Sequence, residues 1–282
     1  MRRLLRWAAW TFGAIALFAL LAVAYVYVAS ERILRRPYTI ALTPITVPDD
    51  STAPIEGERL ARVRGCFGGC HGMRSEGQVF FDDPKIARLV APNLTEAAAR
   101  WNDAELARII RHGVRPNGRS VFSMPAHTFS GLSDEDLGAI LAFLRHMPPE
   151  PGLQAELRPR YLGRLGLVLG QYRPEAELIA HDSIPPTTTP REPLAHGQYL
   201  ARTICTECHG LDLHGVAGST PDLMIVAAYS PETFTRLLRD GVPLDQRQLG
   251  LMAQVALKRF RHLTDREIAD LYQYLAARKP AS

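Results

Sequence analysis

The stretch GCFGGCHG, Gly65–Gly72, puts two thiols and an imidazole within six residues: Cys66, Cys70 and His71. A second stretch, ICTECHG, Ile204–Gly210, repeats the order with Cys205, Cys208 and His209. Together they use all four cysteines of the 282-residue chain. Two thiols two residues apart, followed at once by histidine, suit covalent haem attachment. The sulfurs add to the two vinyl groups of one rigid macrocycle, and the adjacent imidazole reaches its iron. The first stretch is longer by one residue. Gly68 and Gly69 are free enough in φ and ψ to let the extra residue loop out. Two other chemistries compete: a disulfide in place of the first attachment, or one zinc held by all four thiolates. The zinc reading leaves His71 and His209, at identical positions, without a task.

The elements that must position these groups occur twice. GERLARV from Gly57 resembles GQYLART from Gly197, each just before a cysteine stretch. DAELARIIRHGV (103–114) matches PETFTRLLRDGV (231–242) at an offset of 128, and LSDEDLGAILAFL (132–144) matches LTDREIADLYQYL (263–275) at an offset of 131. Three matched segments in one order mark a tandem duplication whose period is that of a domain. Leu137, Ile140, Leu141 and Leu144 fall at helical spacing. Ser133 with Asp136, and Thr264 with Glu267, supply N-terminal caps. Gly113 and Gly241 mark helix ends. No segment alternates over a useful length, so each unit reads as an all-α domain of three or four helices.

The N-terminal residues 7–29, WAAWTFGAIALFALLAVAYVYVA, form 23 uncharged residues preceded by Arg2, Arg3 and Arg6 and followed by Arg32, Arg35 and Arg36. About 20 apolar residues cross a bilayer as helix, and the leading arginines favour a cytoplasmic N-terminus. The run exceeds the usual h-region of a signal peptide, although small residues at Val28–Ser30 offer a cleavage site. Either way the remainder of the chain is exported. The organisation that follows is an anchor (7–29), a tether (30–55), a first unit (56–147), a connector (148–193) with a short helix in ELRPRYLGRLGLVLGQY, and a second unit (194–282). The first unit carries 12 Arg or Lys against 11 Asp or Glu, and residues 192–282 carry 10 of each. Neither has the basic excess of a nucleic-acid binder. LKRFRH, Leu257–His262, is either an ordinary solvated helix or a patch that steers an acidic partner.

On these motifs the chain resembles the class I cytochrome c family, and more narrowly membrane-anchored dihaem c-type cytochromes of the bacterial periplasm. The resemblance covers residues 56–277. It implies two tandem cytochrome c domains after a transmembrane helix, with two covalent haem c groups on Cys66, Cys70, Cys205 and Cys208. It implies that Pro92 in APNL and Pro221 in TPDL lend their carbonyls to the ligating histidines. Pro221 lies 12 residues after His209 but Pro92 lies 21 after His71, so an insertion is expected within Met73–Ala91. It further implies that Met124 and Met252, also 128 apart, are the second axial ligands beside His71 and His209. His127 is the rival ligand in the first unit, and Trp101 either packs on the haem or starts its helix. His/Met ligation fills every iron position, which implies an electron carrier and no catalytic site. The partners implied are a dehydrogenase, a quinol-oxidising complex or a terminal oxidase, met in the periplasm at the bacterial inner membrane. A dihaem enzyme of peroxidase type, with one iron that opens, is the alternative.

Overall fold

The computed structural model describes residues 2–278; residues 279–282, the end of the expected second unit, lie outside the described residues. The apolar run becomes α1 (Arg2–Arg35), a single helix whose side chains stand free of the rest of the fold except near Ser30. It is long and apolar enough to cross a membrane. Residues 36–52 are irregular but packed. The Tyr38 amide donates to the Gly118 carbonyl at 2.8 Å, the Arg108 guanidinium to the Ile40 carbonyl at 3.1 Å, and a Cβ added at Gly138 would strike the Thr46 carbonyl.

The first half contains α2 (Ala53–Val63), α3 (Leu94–Arg100), α4 (Asp103–His112), α5 (Ala126–Phe129) and α6 (Asp134–His146). It also contains strands, which corrects the all-α expectation. β1 (Gln78–Asp82), β2 (Ala87–Ala91) and β3 (Glu156–Pro159) form an antiparallel sheet in the order β1-β2-β3. β1 and β2 occupy the expected insertion. Five residues each are too few to display alternation, and a bulge between Val79 and Phe81 breaks the period further. The Asp83 carboxylate closes their turn by accepting from the amides of Lys85 (2.8 Å) and Ile86 (2.9 Å). β3 comes from the connector, as does the expected short helix, α7 (Tyr161–Val168). The connector therefore begins as part of the first half.

The second half contains α8 (Pro193–Leu200), α9 (Thr206–His209), α10 (Pro231–Asp240), α11 (Leu251–Lys258) and α12 (Asp265–Ala276). The caps follow the sequence. Ser133 accepts from the Asp136 amide, Thr264 and Glu267 form a capping box, and Gly113 (φ +64°) and Gly241 (φ +71°) end α4 and α10 in the left-handed region that only glycine enters freely.

In each half the first helix crosses the last, α2 on α6 and α8 on α12. Gly57 and Gly197, matched in the repeat, permit the approach: a Cβ on Gly57 would collide with the Ala139 carbonyl, and one on Gly197 with the Asp270 carbonyl. The buried faces then merge. Leu60, Val63, Leu137 and Leu141 from one half form one apolar core with Leu200, Ile204, Ile268 and Leu271 from the other. Arg64, with a fully buried side chain, binds Asp136 at 2.8 Å, and Asp136 also accepts from Tyr199 at 2.7 Å across the junction. Burial pushes the Tyr199 phenol up to about 12.

Because the helix crossings have no room for a side chain, Gly57→Val and Gly197→Val should each destabilise the protein by about 1–3 kcal/mol or more, as overpacking does. Gly131→Ala, where a Cβ meets nothing within 4 Å, should stay within about 0.5 kcal/mol. Denaturant unfolding of the three variants checks both expectations.

Candidate haem-binding sites

α2 delivers the first cysteine stretch directly. After its C-cap Arg64 the chain turns at Gly65 (φ +75°) and Gly68 (φ +72°), and the Cys70 amide donates to the Gly65 carbonyl at 2.9 Å. The extra residue of the Cys66–Cys70 interval is accommodated here, at Gly68 in left-handed geometry. Gly69 is excluded from carrying a side chain by the Gly65 carbonyl beneath it. The second stretch has no such loop. α8 runs on through a π-helical segment, Ala201–Cys205, into the single turn of α9. π segments are rare and often mark functional positions.

The two histidines sit in matching settings. His71 Nδ1 lies 2.8 Å from the Pro92 carbonyl and His209 Nδ1 lies 2.9 Å from the Pro221 carbonyl. A carbonyl can only accept, so each ring carries its proton on Nδ1 and keeps a lone pair on Nε2. Burial lowers the pKa of both imidazoles, opposed by the bond to the proline carbonyl. Each ring is thereby held in a fixed plane with Nε2 free. Burial also pushes the thiols up, Cys66 to about 11 and Cys205 to about 12, with Cys70 and Cys208 raised in the same direction. The four thiols are unbridged, and among the described residues no three His, Cys, Asp or Glu side chains converge as a zinc cage requires.

In the first half these groups open onto one cavity of about 700 Å³, within the roughly 300–1,000 Å³ of cofactor sites. Cys66, Cys70, His71, Pro92, Trp101 and Met124 all line it. Both thiols, the histidine and a thioether thus face a common, largely apolar space, which fits a covalently held haem. Trp101 both ends α3 and lines the cavity. His127 does not line it; its Nδ1 lies 2.7 Å from Glu175 Oε2. His112 Nδ1 is paired with His181 Nδ1 at 3.1 Å. In the second half Met252 is partly buried against the core at the start of α11, whereas Met124 precedes Pro125 in a loop. Pro125 disfavours helical backbone at Met124, the residue directly before it.

Sequence reading missed what joins the two stretches. Arg259 belongs to LKRFRH, read as a possible docking patch, but its side chain is 12% exposed and turned inward. Nε donates to the Val63 carbonyl at 3.1 Å, and a terminal nitrogen meets Glu207 Oε2 at 2.8 Å. Glu207 lies between Cys205 and Cys208 and also lines the first cavity. The Thr206 hydroxyl donates to Thr128 Oγ1 at 3.2 Å. The second Cys–Cys–His stretch therefore abuts the cavity of the first half. Lys258 and Arg261 are exposed and Arg259 is not, so the patch is smaller than its sequence suggests.

Arg259→Ala strands a carbonyl and a carboxylate between the halves. It should cost about 1–3 kcal/mol, the penalty for leaving such partners unsatisfied. Arg259→Lys should recover little, because a single ammonium cannot reach both acceptors as a planar fork does. Unfolding by denaturant, compared with Lys258→Ala at an exposed position, measures the difference.

Comparison with known proteins adds the family. The profile described as "Cytochrome C oxidase, cbb3-type, subunit III" matches twice, at residues 53–144 and 192–275, more than half of the chain. The cytochrome c subunit of the quinone alcohol dehydrogenase of Gluconacetobacter polyoxogenes is 28% identical over 174 residues, 57% of this chain and 37% of that protein. The gluconate 2-dehydrogenase cytochrome c subunit of Pantoea cypripedii is 27% identical over 172 residues, covering 54% and 37%. The cytochrome c subunit of the quinone alcohol dehydrogenase of Gluconobacter oxydans is 26% identical over 201 residues, covering 67% and 40%. The chain thus spans about two fifths of the length of these curated relatives. Each family match begins at or beside the helix that leads into a Cys–Cys–His stretch and ends within the helix that crosses it. With a Cys–Cys–His stretch in both halves and both halves matched, the chain belongs to the family described as cytochrome c oxidase, cbb3-type, subunit III, and is a c-type cytochrome with covalently bound haem.

Proposed function

We propose that the chain carries two covalent haems and passes single electrons between redox partners at the bacterial inner membrane, its folded part in the periplasm. The observation that supports this most is recurrence: the Cys–Cys–His stretch and its histidine-to-proline-carbonyl bond occur in both halves. In this reading residues 56–147 and 194–282 are tandem class I cytochrome c units joined by the connector 148–193. Cys66 and Cys70 hold one haem, and Cys205 and Cys208 the other. His71 with Met124, and His209 with Met252, would hold the two irons.

Bound haem supplies a one-electron ferric–ferrous couple. The chain's own groups set how that couple behaves. Pro92 and Pro221 hold the imidazole planes and leave Nε2 free. The methionine thioethers, soft and neutral, favour the ferrous state and raise the potential. Trp101 and the apolar lining keep water from the first site. With a histidine and a methionine on each iron, no position would remain for peroxide or oxygen, which favours a carrier over a peroxidase. The chain's residues would then make or break no bond and carry no proton as an electron passes. The abutting stretches at Thr128, Thr206 and Glu207 keep both sites within one body, so transfer between them requires no domain motion. The names of the relatives make a dehydrogenase the first partner to try; a quinol-oxidising complex or a terminal oxidase is the next. The near-balanced charge of both units speaks for protein partners over nucleic acid.

The denatured, loaded chain should weigh the polypeptide plus two haems, and Cys66→Ser with Cys70→Ser should leave one. A single haem in the unsubstituted protein overturns the count. The reduced protein should not bind carbon monoxide; fast stoichiometric binding at either iron overturns the carrier reading. Met124→Ala should admit carbon monoxide at one iron and lower its potential by on the order of 0.1 V, a fraction of the span that axial ligands command. Met252→Ala should do the same at the other iron alone.

A further inference from the structure

α7 presents an outer face with no charge. Tyr161, Leu162, Leu165 and Leu169 are 56%, 43%, 39% and 63% exposed, and Tyr172 beyond the helix is 44% exposed. The stripe is not an accident of loose packing, because the opposite face is tightly fixed. Gly163, Gly166 and Leu167 are buried, and a Cβ on Gly163 would strike the Ile86 carbonyl. The amides of Arg160 and Leu162 donate to the carbonyls of Ile86 (2.8 Å) and Lys85 (2.9 Å) in the β1–β2 turn.

What covers the stripe follows from the other neighbour of α7, which is α1. The one charged side chain within α7, Arg164, reaches across to it. Its guanidinium donates to Ser30 Oγ at 2.9 Å, meets Glu31 at 3.2 Å, and lies 4.6 Å from the centroid of the Tyr27 ring. Tyr27 belongs to the apolar run 7–29, and Arg32, Arg35 and Arg36 follow. α7 is thereby fixed beside the last turn of the membrane-crossing segment, where hydrocarbon gives way to headgroups. Apolar side chains that stand outward at that level meet lipid. Tyrosines at both ends suit the headgroup layer, where their apolar rings and polar tips are both satisfied. Arg158, Arg160 and Arg173 bracket the stripe, as cations bracket helices that lie in an interface.

We propose that α7 is an interfacial membrane helix: its Leu162–Leu165–Leu169 face is immersed in the edge of the bilayer that α1 crosses, with Tyr161 and Tyr172 at headgroup level. The occupant is lipid, not a protein partner and not a second copy. The inference rests on α1 being in the membrane, and it is independent of haem number and ligation.

The test uses the full-length, haem-loaded protein in phospholipid vesicles that contain no other protein. Single Leu165→Cys and Leu169→Cys variants are treated with a charged, membrane-impermeant maleimide. Leu257→Cys, at a 50% exposed position on α11, is the control, and the unsubstituted protein gives the background of the native thiols. Labelling at 165 and 169 should be at least about tenfold slower than at 257, because a thiol in apolar surroundings resists ionisation and the reagent stays in water. The protection should not change as protein is diluted with lipid. Rates equal to that at 257 overturn the proposal and leave the stripe free for a protein partner. Protection that fades on dilution overturns it in favour of a second copy.

Discussion

A proline carbonyl held within 2.9 Å of an imidazole nitrogen is the constraint around which each half is arranged. It fixes the tautomer and plane of a histidine that would otherwise rotate, and it demands that a distant piece of chain arrive at one point. In the first half Pro92 is delivered by β2 and secured by Asn93, which is 1% exposed, caps α3 and donates to the Glu150 carbonyl at 2.5 Å. The sheet is thus the scaffold of the acceptor that holds His71. The second half solves the same problem without strands. Thr220 donates to the Cys208 carbonyl at 2.6 Å, and the Gly215 amide to the His209 carbonyl at 2.8 Å, which folds the segment before Pro221 back on the cysteine stretch. One geometric demand, met by unlike local structures, explains how the duplicated halves could diverge there and nowhere in the helix crossings.

The junction between the halves carries buried charge as well as apolar surface. Arg59 spans it with a bidentate contact to Glu267 at 2.7 and 2.9 Å, Arg64 faces Asp136, and Arg259 reaches back to Val63. Buried pairs of this kind add little net stability, but removing one member is costly because the other is left without compensation. They reward one docking of the halves over all others. The two halves, which repeat one another in sequence, share one core as a single folded body.

Much of this was legible in the sequence because it depends on local rules. The capped helices, the left-handed glycines and the repeat of Gly57 at Gly197 follow from residue type and offset alone. The histidine-to-proline spacing of 21 against 12 located the insertion correctly. Its strands were illegible for a physical reason: β1 and β2 are five residues long, and β3 joins them from 65 residues beyond β2. Pairing supplies their stability, and pairing leaves no periodic trace in so short a segment. Arg259 was misread for the same kind of reason. Three cations in LKRFRH look alike in sequence, and only the approach of Val63 and Glu207 makes the middle one internal. Trp101 could be placed at a helix end, but its exposure to the cavity depends on how α3 and α4 meet.

Residues 36–52 join α1 to the body, and their hydrogen bonds to Gly118 and Arg108 make them a strut and not a rope. A cytochrome on a slack leash samples a hemisphere and meets partners at many heights above the bilayer. One braced at fixed height and tilt presents the same edge to everything that drifts past, so its encounters reduce to lateral diffusion and rotation about the membrane normal. For the carrier proposed above this would mean selection by altitude: a partner whose own redox centre stands at a different level above the lipid would be refused before any side chain is compared.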